Sequence, residues 1–246
     1  MRETRIYVPE LPGAGAVVPL PVQAAQHIGR VLRMRVGQSV RVFDGRREFH
    51  AVIETLGRHR TQIKLRDLHA EAIAPVVHLT LAISVVRGER MDWVCQKASE
   101  LGVAEIRPVL SERSRRQRGQ ALSEWCRKRK LHWQQIVIGA CEQCGRIDVP
   151  AVHDFMTLGE YLSDRAENEL MVFADREAVR SSGLPRRARS VSMLVGPEGG
   201  WTRNERTELI RRSVIGVRLG PRILRSETAG LVMLTLMQAR YGDLAS

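Results

Sequence analysis

Three glycines and a proline crowd residues 196–200 in the stretch LVGPEGGWT, directly behind the apolar run SMLV. Glycine serves where φ must be positive or where backbone must come close to a ligand, and it costs stability elsewhere. A buried strand ending in such a loop, with Glu198 inside it and Glu205 opening a polar helical pattern, has the make-up of a small-molecule pocket. The same residues also suit an ordinary strand-to-helix turn. A second loop, LGPRILRSETA at 219–229, sets Gly220 beside Arg225 and Glu227. Neither loop contains G-x-G-x-x-G, a Walker lysine or a G-x-S-x-G elbow, so the usual dinucleotide, nucleoside triphosphate and hydrolase sites lack their signatures. Cys141 and Cys144 form a single C-x-x-C. Structural zinc takes four ligands, and no second pair or nearby histidine supplies the others. No metal is expected; on a helix, thiols three apart share a face and pack.

The elements that must position these loops follow from periodicity. RIYV at 5–8, SVRVF at 39–43, FHAVIETL at 49–56 and TQIKLRDL at 61–68 are rich in strand formers, and Asp44-Gly45 is a hairpin signal. Short, closely spaced strands predict a small β-barrel. AAQHIGRVLRM breaks that pattern, with Ala25, Ile28, Val31 and Leu32 at helical spacing and Arg30 and Arg33 on another face. HAEAIAP, ending at Pro75, reads as the linker. Beyond it strand and helix alternate: apolar runs at 76–86, 105–110, 170–174, 191–195 and 214–220 separate helical patterns, the longest in LSEWCRKRKLHWQQIVIGACEQ. Such alternation predicts an α/β fold with a mostly parallel sheet covered on both faces. Ligands bind such sheets at the carboxyl ends of the strands, where both glycine loops fall. The last helix, ETAGLVMLTLMQARYG, is apolar nearly all round, with Leu231, Val232, Met233, Leu234, Leu236 and Met237 surrounding its axis, so it is expected both to lie at the centre of the core and to bury part of its surface at the interface of a homodimer.

At 246 residues the chain suits two modest domains. Its formal net charge of +12 is the footprint of a protein that meets a polyanion, with nucleic acid the leading class. Only Lys64, Lys97, Lys128 and Lys130 are lysines among the 39 basic residues; GC-rich codons would give the same arginine skew without functional meaning. No apolar run reaches the length of a membrane span, and MRETRIYVPE has no signal-peptide core, which predicts a cytoplasmic protein with no membrane partner.

The two loops, in this order, together with QKASELGV (96–103), SERS (111–114), ACEQCGR (140–146), HIGRVLRM and VFDG, resemble the bacterial 16S ribosomal RNA uridine N3-methyltransferases of the SPOUT superfamily. The resemblance implies a PUA-like RNA-binding β-barrel over 1–72 and a SPOUT α/β domain over 76–246 whose chain threads a trefoil knot. It also implies S-adenosylmethionine as cofactor and the 16S rRNA of the small ribosomal subunit as partner, and related SPOUT enzymes are homodimers. By the same match Leu194, Val195, Gly196, Pro197, Glu198, Gly199 and Gly200 form one cofactor wall. Leu219, Gly220, Ile223, Leu224, Arg225, Thr228 and Ala229 form the other, with Ile223 and Leu224 under the adenine.

Uracil N3 carries a proton at neutral pH, so its removal must accompany methyl transfer. Glu198 and Glu227 are the carboxylates in the cofactor loops, either of which can be the base, and Arg225 is placed to stabilise the uracil anion. Glu198 can instead orient its own loop, and Glu227 can cap the last helix. Arg5, Arg30, Arg33, Arg113, Arg115, Glu142, Gln143 and Arg146 are the expected RNA contacts. Two alternatives stay open: a SPOUT enzyme with another target, such as a ribose 2′-hydroxyl or transfer RNA, and a noncatalytic ribosome-assembly factor.

Overall fold

The computed structural model describes residues 3–57, 60–86, 88–114, 120–164, 166, 169–178 and 183–244. The chain divides into two units, Met1–Ala74 with Ile138–Val149, and Pro75–Val137 with Pro150–Ser246. The segment 138–149, which sequence periodicity attaches to the second domain, thus clusters with the first.

In the first unit β1 (Arg5–Tyr7), β2 (Val17–Pro19), β3 (Ser39–Phe43), β4 (Arg47–Leu56) and β5 (Thr61–Glu71) form one sheet in the order β1-β3-β4-β5-β2. Only the β1–β3 pair is parallel. Alternation along the strands sends Val40, Val42, Phe49, Ala51, Ile53, Ile63 and Leu65 into a single core with Ile6 and Ile28. The expected hairpin forms at Asp44-Gly45: Asp44 Oδ1 accepts from the N–H groups of Arg46 and Arg47, and Gly45 takes φ 94°. β5 runs on to Glu71 and absorbs the first residues of the expected linker. The helical pattern after β2 becomes α1 (Val22–Gln26) followed by a π-helical turn, His27–Val31. A π turn is wider than 3.6 residues, so the apolar stripe loses register. Of Ala25, Ile28, Val31 and Leu32 only Ile28 is fully buried, and Val31 is 68% exposed.

The second unit holds a parallel sheet of β6 (His78–Ser84), β7 (Glu105–Leu110), β8 (Ala151–Val152), β9 (Met156–Thr157), β10 (Leu170–Ala174), β11 (Ser190–Val195) and β12 (Ile215–Val217). Its order is β12-β10-β11-β6-β7-β8, with β9 also on β7. β6 and β11, at the centre, are buried along nearly their whole length, as strands covered on both faces must be. The covering helices are α2 (Arg90–Glu100), the first part of α3 (Gln120–Cys144), α4 (Leu158–Ser163), α5 (Arg203–Arg211) and α6 (Ser226–Tyr241). Capping boxes start two of them, Thr157 with Glu160 in α4 and Thr202 with Glu205 in α5. The chain leaves β6 toward β7 on one side, whereas β11 and β10 lie on the other, so the loops after β6 and β11 part company at the carboxyl edge, which makes a crevice.

α6 takes the central place in the core that its apolar surface predicts. Leu231, Met233, Leu234 and Met237 are buried within this unit, because α6 lies against β6 and β11 and also against α2. Gly230 brings the helix down onto the sheet: a Cβ there would stand 3.4 Å from Ile83 Cδ1. Gln238 Nε2 donates to the Leu101 carbonyl at 3.0 Å at the end of α2. Met233 and Met237 therefore need no partner subunit to cover them; Leu236, 45% exposed, is the large apolar residue that α6 leaves in solvent.

Candidate functional site

At the carboxyl edge the two glycine loops enclose a cavity of about 110 Å³. Val195 at the end of β11 and Gly196, Pro197 and Gly200 in the loop after it line one side, and Leu219, Gly220 and Leu224 between β12 and α6, with Ala229 in the first turn of α6, line the other. Gly200 at φ 67° and Gly220 at φ 90° hold left-handed backbone, and a Cβ on either would meet nothing within 4 Å. Open space before bare main chain is the cradle a ligand bound through backbone groups requires. Gly196 serves differently, since its missing side chain admits the Trp201 ring, 3.1 Å from where the Cβ would be. The Trp201 Nε1–H is buried without an acceptor among the described residues, and Trp201 lines the cavity. A buried donor left unpaired costs about 1–3 kcal/mol, which a polar ligand atom would recover. The lining residues thus suit part of a bound S-adenosylmethionine, with glycine backbone, an apolar wall at Leu219 and Leu224, and a waiting donor, while the space between them is smaller than the roughly 300–1,000 Å³ of small-molecule sites.

Not every residue expected here lines this cavity. Leu194 points into the sheet core with Phe173 and Leu209. Ile223, 70% exposed, lines a neighbouring hollow of about 620 Å³ together with Trp93, Arg225, Glu227 and Thr228, so of the expected adenine pair Leu224 alone reaches the cofactor cavity. Gly199 also departs from expectation: the space at its Cβ is taken by Arg113 Cδ at 3.2 Å, and the Arg113 guanidinium donates to the Gly199 carbonyl.

The two carboxylates are joined through a residue the sequence did not single out. Arg90, opening α2, donates from a terminal nitrogen to Glu198 Oε1 at 3.0 Å, and its Nε stands 3.7 Å from Glu227 Oε1. One guanidinium thereby ties the loop after β11 to the start of α6. Glu227 lies buried in the first turn of α6, where the helix dipole favours an anion, and its Oε2 has no donor among the described residues. Glu205, beyond the loop, is structural: it closes the α5 capping box and accepts from the Glu112 N–H at 2.8 Å. Sequence reasoning also passed over Asp175, which lines the cofactor cavity and accepts from Arg206 at 3.0 Å. Its signal was legible, a carboxylate placed immediately after the apolar strand LMVFA.

In the first unit Arg30 and Arg33 are exposed, Arg33 with φ 50°, and both are available to a polyanion. Arg5 is not. Its side chain is 1% exposed; Nε donates to Glu48 Oε1 at 2.6 Å, and the terminal nitrogens donate to the carbonyls of Cys141 at 2.5 Å and Arg146 at 3.1 Å. The guanidinium also stacks 4.4 Å over the Phe43 ring. Its donors are spent closing the end of α3, which corrects the expectation that it touches RNA. Glu142 accepts from the Tyr7 N–H at 3.0 Å; burial pushes its carboxyl above the ordinary range, against the pull of that N–H and of nearby His27 and Arg5. Arg146 grips Asp148 at 2.6 Å, while Gln143 is exposed. Burial pushes the Cys141 thiol up to about 12, which fits a packed thiol. Arg113 is exposed, and Arg115 lies outside the described residues. Among the described residues no cluster of His, Cys, Asp and Glu is arranged to hold a metal, and no helix is long and apolar enough to cross a membrane.

The sequence and the fold both have close counterparts. Residues 73–238 match the family model of the RNA methyltransferase domain, and residues 20–66 that of the RNA methyltransferase PUA domain. Ribosomal RNA small subunit methyltransferase E of Buchnera aphidicola is 30% identical over 99% of both chains. A Legionella pneumophila protein, solved as a methyltransferase in complex with the cofactor SAM, superposes with a TM-score of 0.92 at 33% identity, over 99% of this chain and 100% of that one. A ribosomal RNA small subunit methyltransferase E from Neisseria gonorrhoeae, bound to S-adenosyl methionine, gives 0.89 at 33% identity over the same shares. With its glycine-walled cavity at the carboxyl edge of a parallel sheet and these matches along its length, the chain belongs to the RNA methyltransferase family that includes ribosomal RNA small subunit methyltransferase E.

Proposed function

We propose that this chain holds S-adenosylmethionine in the cavity between the loops at 195–201 and 219–229 and methylates N3 of a uridine in the 16S RNA of the small ribosomal subunit. The observation that carries the reading is the pair of left-handed glycines, Gly200 and Gly220, facing open space beside the unpaired Trp201 N–H. The cofactor, when bound, supplies an electrophilic methyl group. The chain's own task is to seat the uracil and take the N3 proton. Glu198 and Glu227 are the acceptors within reach, and Arg90, which contacts both, holds them in place. Arg225, exposed at the entrance to α6, is available for a uracil oxygen.

The exposed arginines of the first unit supply the salt-dependent grip on RNA. Work on a ribosomal subunit places the protein in the cytoplasm. Exposed Trp93, Ile223 and Leu236 support self-association as a homodimer through the α2 and α6 side of the second unit. The knotted threading of the family's cofactor loops is part of the same proposal. Mass-spectrometric mapping of 16S RNA from a deletion strain tests it. A single uridine should lose its base methyl and regain it on complementation, and an unchanged RNA, or a lost ribose methyl, refutes the assignment.

A further inference from the structure

A second, larger cavity, about 850 Å³, is also lined by the GPEGG loop, through Pro197, Glu198 and Gly199. Pro197 lines the cofactor cavity as well, so the two spaces meet at one loop. The floor is apolar, made by Val85, Val86 and Leu110 at the ends of β6 and β7 and by Trp133, which is fixed by its Nε1–H to Asp92 Oδ1 at 3.0 Å. Trp125 forms a side, and the Arg129 guanidinium stands 5.9 Å from its ring centre. Among the described lining residues Arg90, Arg113 and Arg129 set three cations around this space against the single carboxylate of Glu198, whose Oε1 accepts from Arg90.

An apolar, aromatic floor beneath a cationic rim suits one ligand class, a flat base carrying a phosphate. The volume lies in the range of small-molecule sites and exceeds what a bare ion or a free amino acid needs. Enzymes that modify a base bring it out of its stack into such a pocket, and aromatic rings hold single-stranded bases by stacking. Resting on the function proposed above, we infer that this cavity receives the extruded pyrimidine nucleotide of the RNA. Trp125 stacks on the base, Arg113 and Arg129 hold the flanking phosphates, and Glu198 Oε2 accepts the N3–H. Of the two candidate carboxylates, Glu198 is then the one that meets the base, and Arg90 positions it.

Two measurements on the full-length protein test the site. Short single-stranded RNA carrying 4-thiouridine, crosslinked by light and mapped by mass spectrometry, should label the peptide containing Trp125 and Arg129, and Arg129→Ala should weaken the label. Labelling confined to other peptides overturns the site. With small subunits from a deletion strain as substrate, Trp125→Ala and Arg129→Ala should each lower kcat/KM by about tenfold to a hundredfold, the span of one stacked base. Cofactor affinity by calorimetry should stay within about twofold of wild type in both, and Trp125→Phe should recover most of the loss. Unchanged kcat/KM in folded Arg129→Ala, or a parallel fall in cofactor affinity, overturns it as well. A wild-type chain that labels at Trp125 yet methylates no uridine would instead sink the proposed reaction and leave the nucleotide site standing.

Discussion

Arg5→Ala tests whether the end of α3 is held to the first unit from within. The wild-type guanidinium is enclosed, bonded to a carboxylate that is itself buried, and closes two carbonyls at a helix end. Removing it strands Glu48, which retains Arg41 only at 3.8 Å. Breaking one partner of a buried pair costs about 3–5 kcal/mol, and the lost carbonyl bonds are included in the upper end of that range. Taking about 4 kcal/mol, a unit of this size should lose roughly 15–30 °C of melting temperature. Thermal unfolding followed by circular dichroism reads the change, and calorimetry with S-adenosylmethionine checks that the second unit still binds its cofactor. Replacing both partners, Arg5→Met with Glu48→Leu, should cost much less, because an apolar pair of similar size replaces a buried ion pair at little cost. A loss below about 1 kcal/mol, or intact stability together with weakened RNA binding, would show that Arg5 faces the RNA after all and refute the reasoning.

Gly220→Val places a β-branched side chain at φ 90° and fills the open space of the cofactor cavity, so S-adenosylmethionine binding measured by calorimetry should disappear from a folded protein. Arg30→Glu with Arg33→Glu should weaken RNA binding and flatten its salt dependence by about two ions without altering cofactor affinity; an unchanged slope would make this face merely solvated. Glu142 has a folded-state pKa above its unfolded one, so its contribution to stability is greatest in acid and declines as pH rises through the two values. Glu142→Gln, which keeps an acceptor for the Tyr7 N–H, should therefore remove this decline and leave the protein relatively more stable at pH 7 than at pH 4, read from paired denaturant titrations. Met233→Asp should unfold the second unit rather than release a folded monomer, because the site is sealed inside that unit; Leu236→Asp should spare the fold and report on self-association by light scattering.

Why did periodicity serve better for elements than for contacts? Strands and helices announce themselves through spacing within one segment, so LMVFA, SMLV and the long pattern of α3 could be read directly. The position of the site was legible for a related reason: glycine clusters behind apolar runs mark the ends of parallel strands, and the edge where ligands bind is a property of the sheet. Direction was not legible. Gly199 and Gly200 are neighbours, yet one makes room for an arginine and the other faces the cofactor cavity. The π turn after α1 could not be foreseen from a pattern that fits an ordinary helix equally well.

Arginine shows the same limit in electrostatic form. A net charge of +12 says that the molecule will attract a polyanion, but it cannot say which guanidiniums remain free to do so. Arg5 is consumed by acceptors 136 and 141 residues further along the chain, and Arg90 by one carboxylate in the loop after β11 and another at the start of α6. Each of these arginines orders backbone or acids that its own neighbourhood in sequence does not contain. Arg30 and Arg33 remain in solvent, with no acceptor bonded to them among the described residues. What divides bonded from free arginines in this chain is therefore the supply of buried acceptors at each site. That supply is set by long-range folding, while the total charge is set by composition alone.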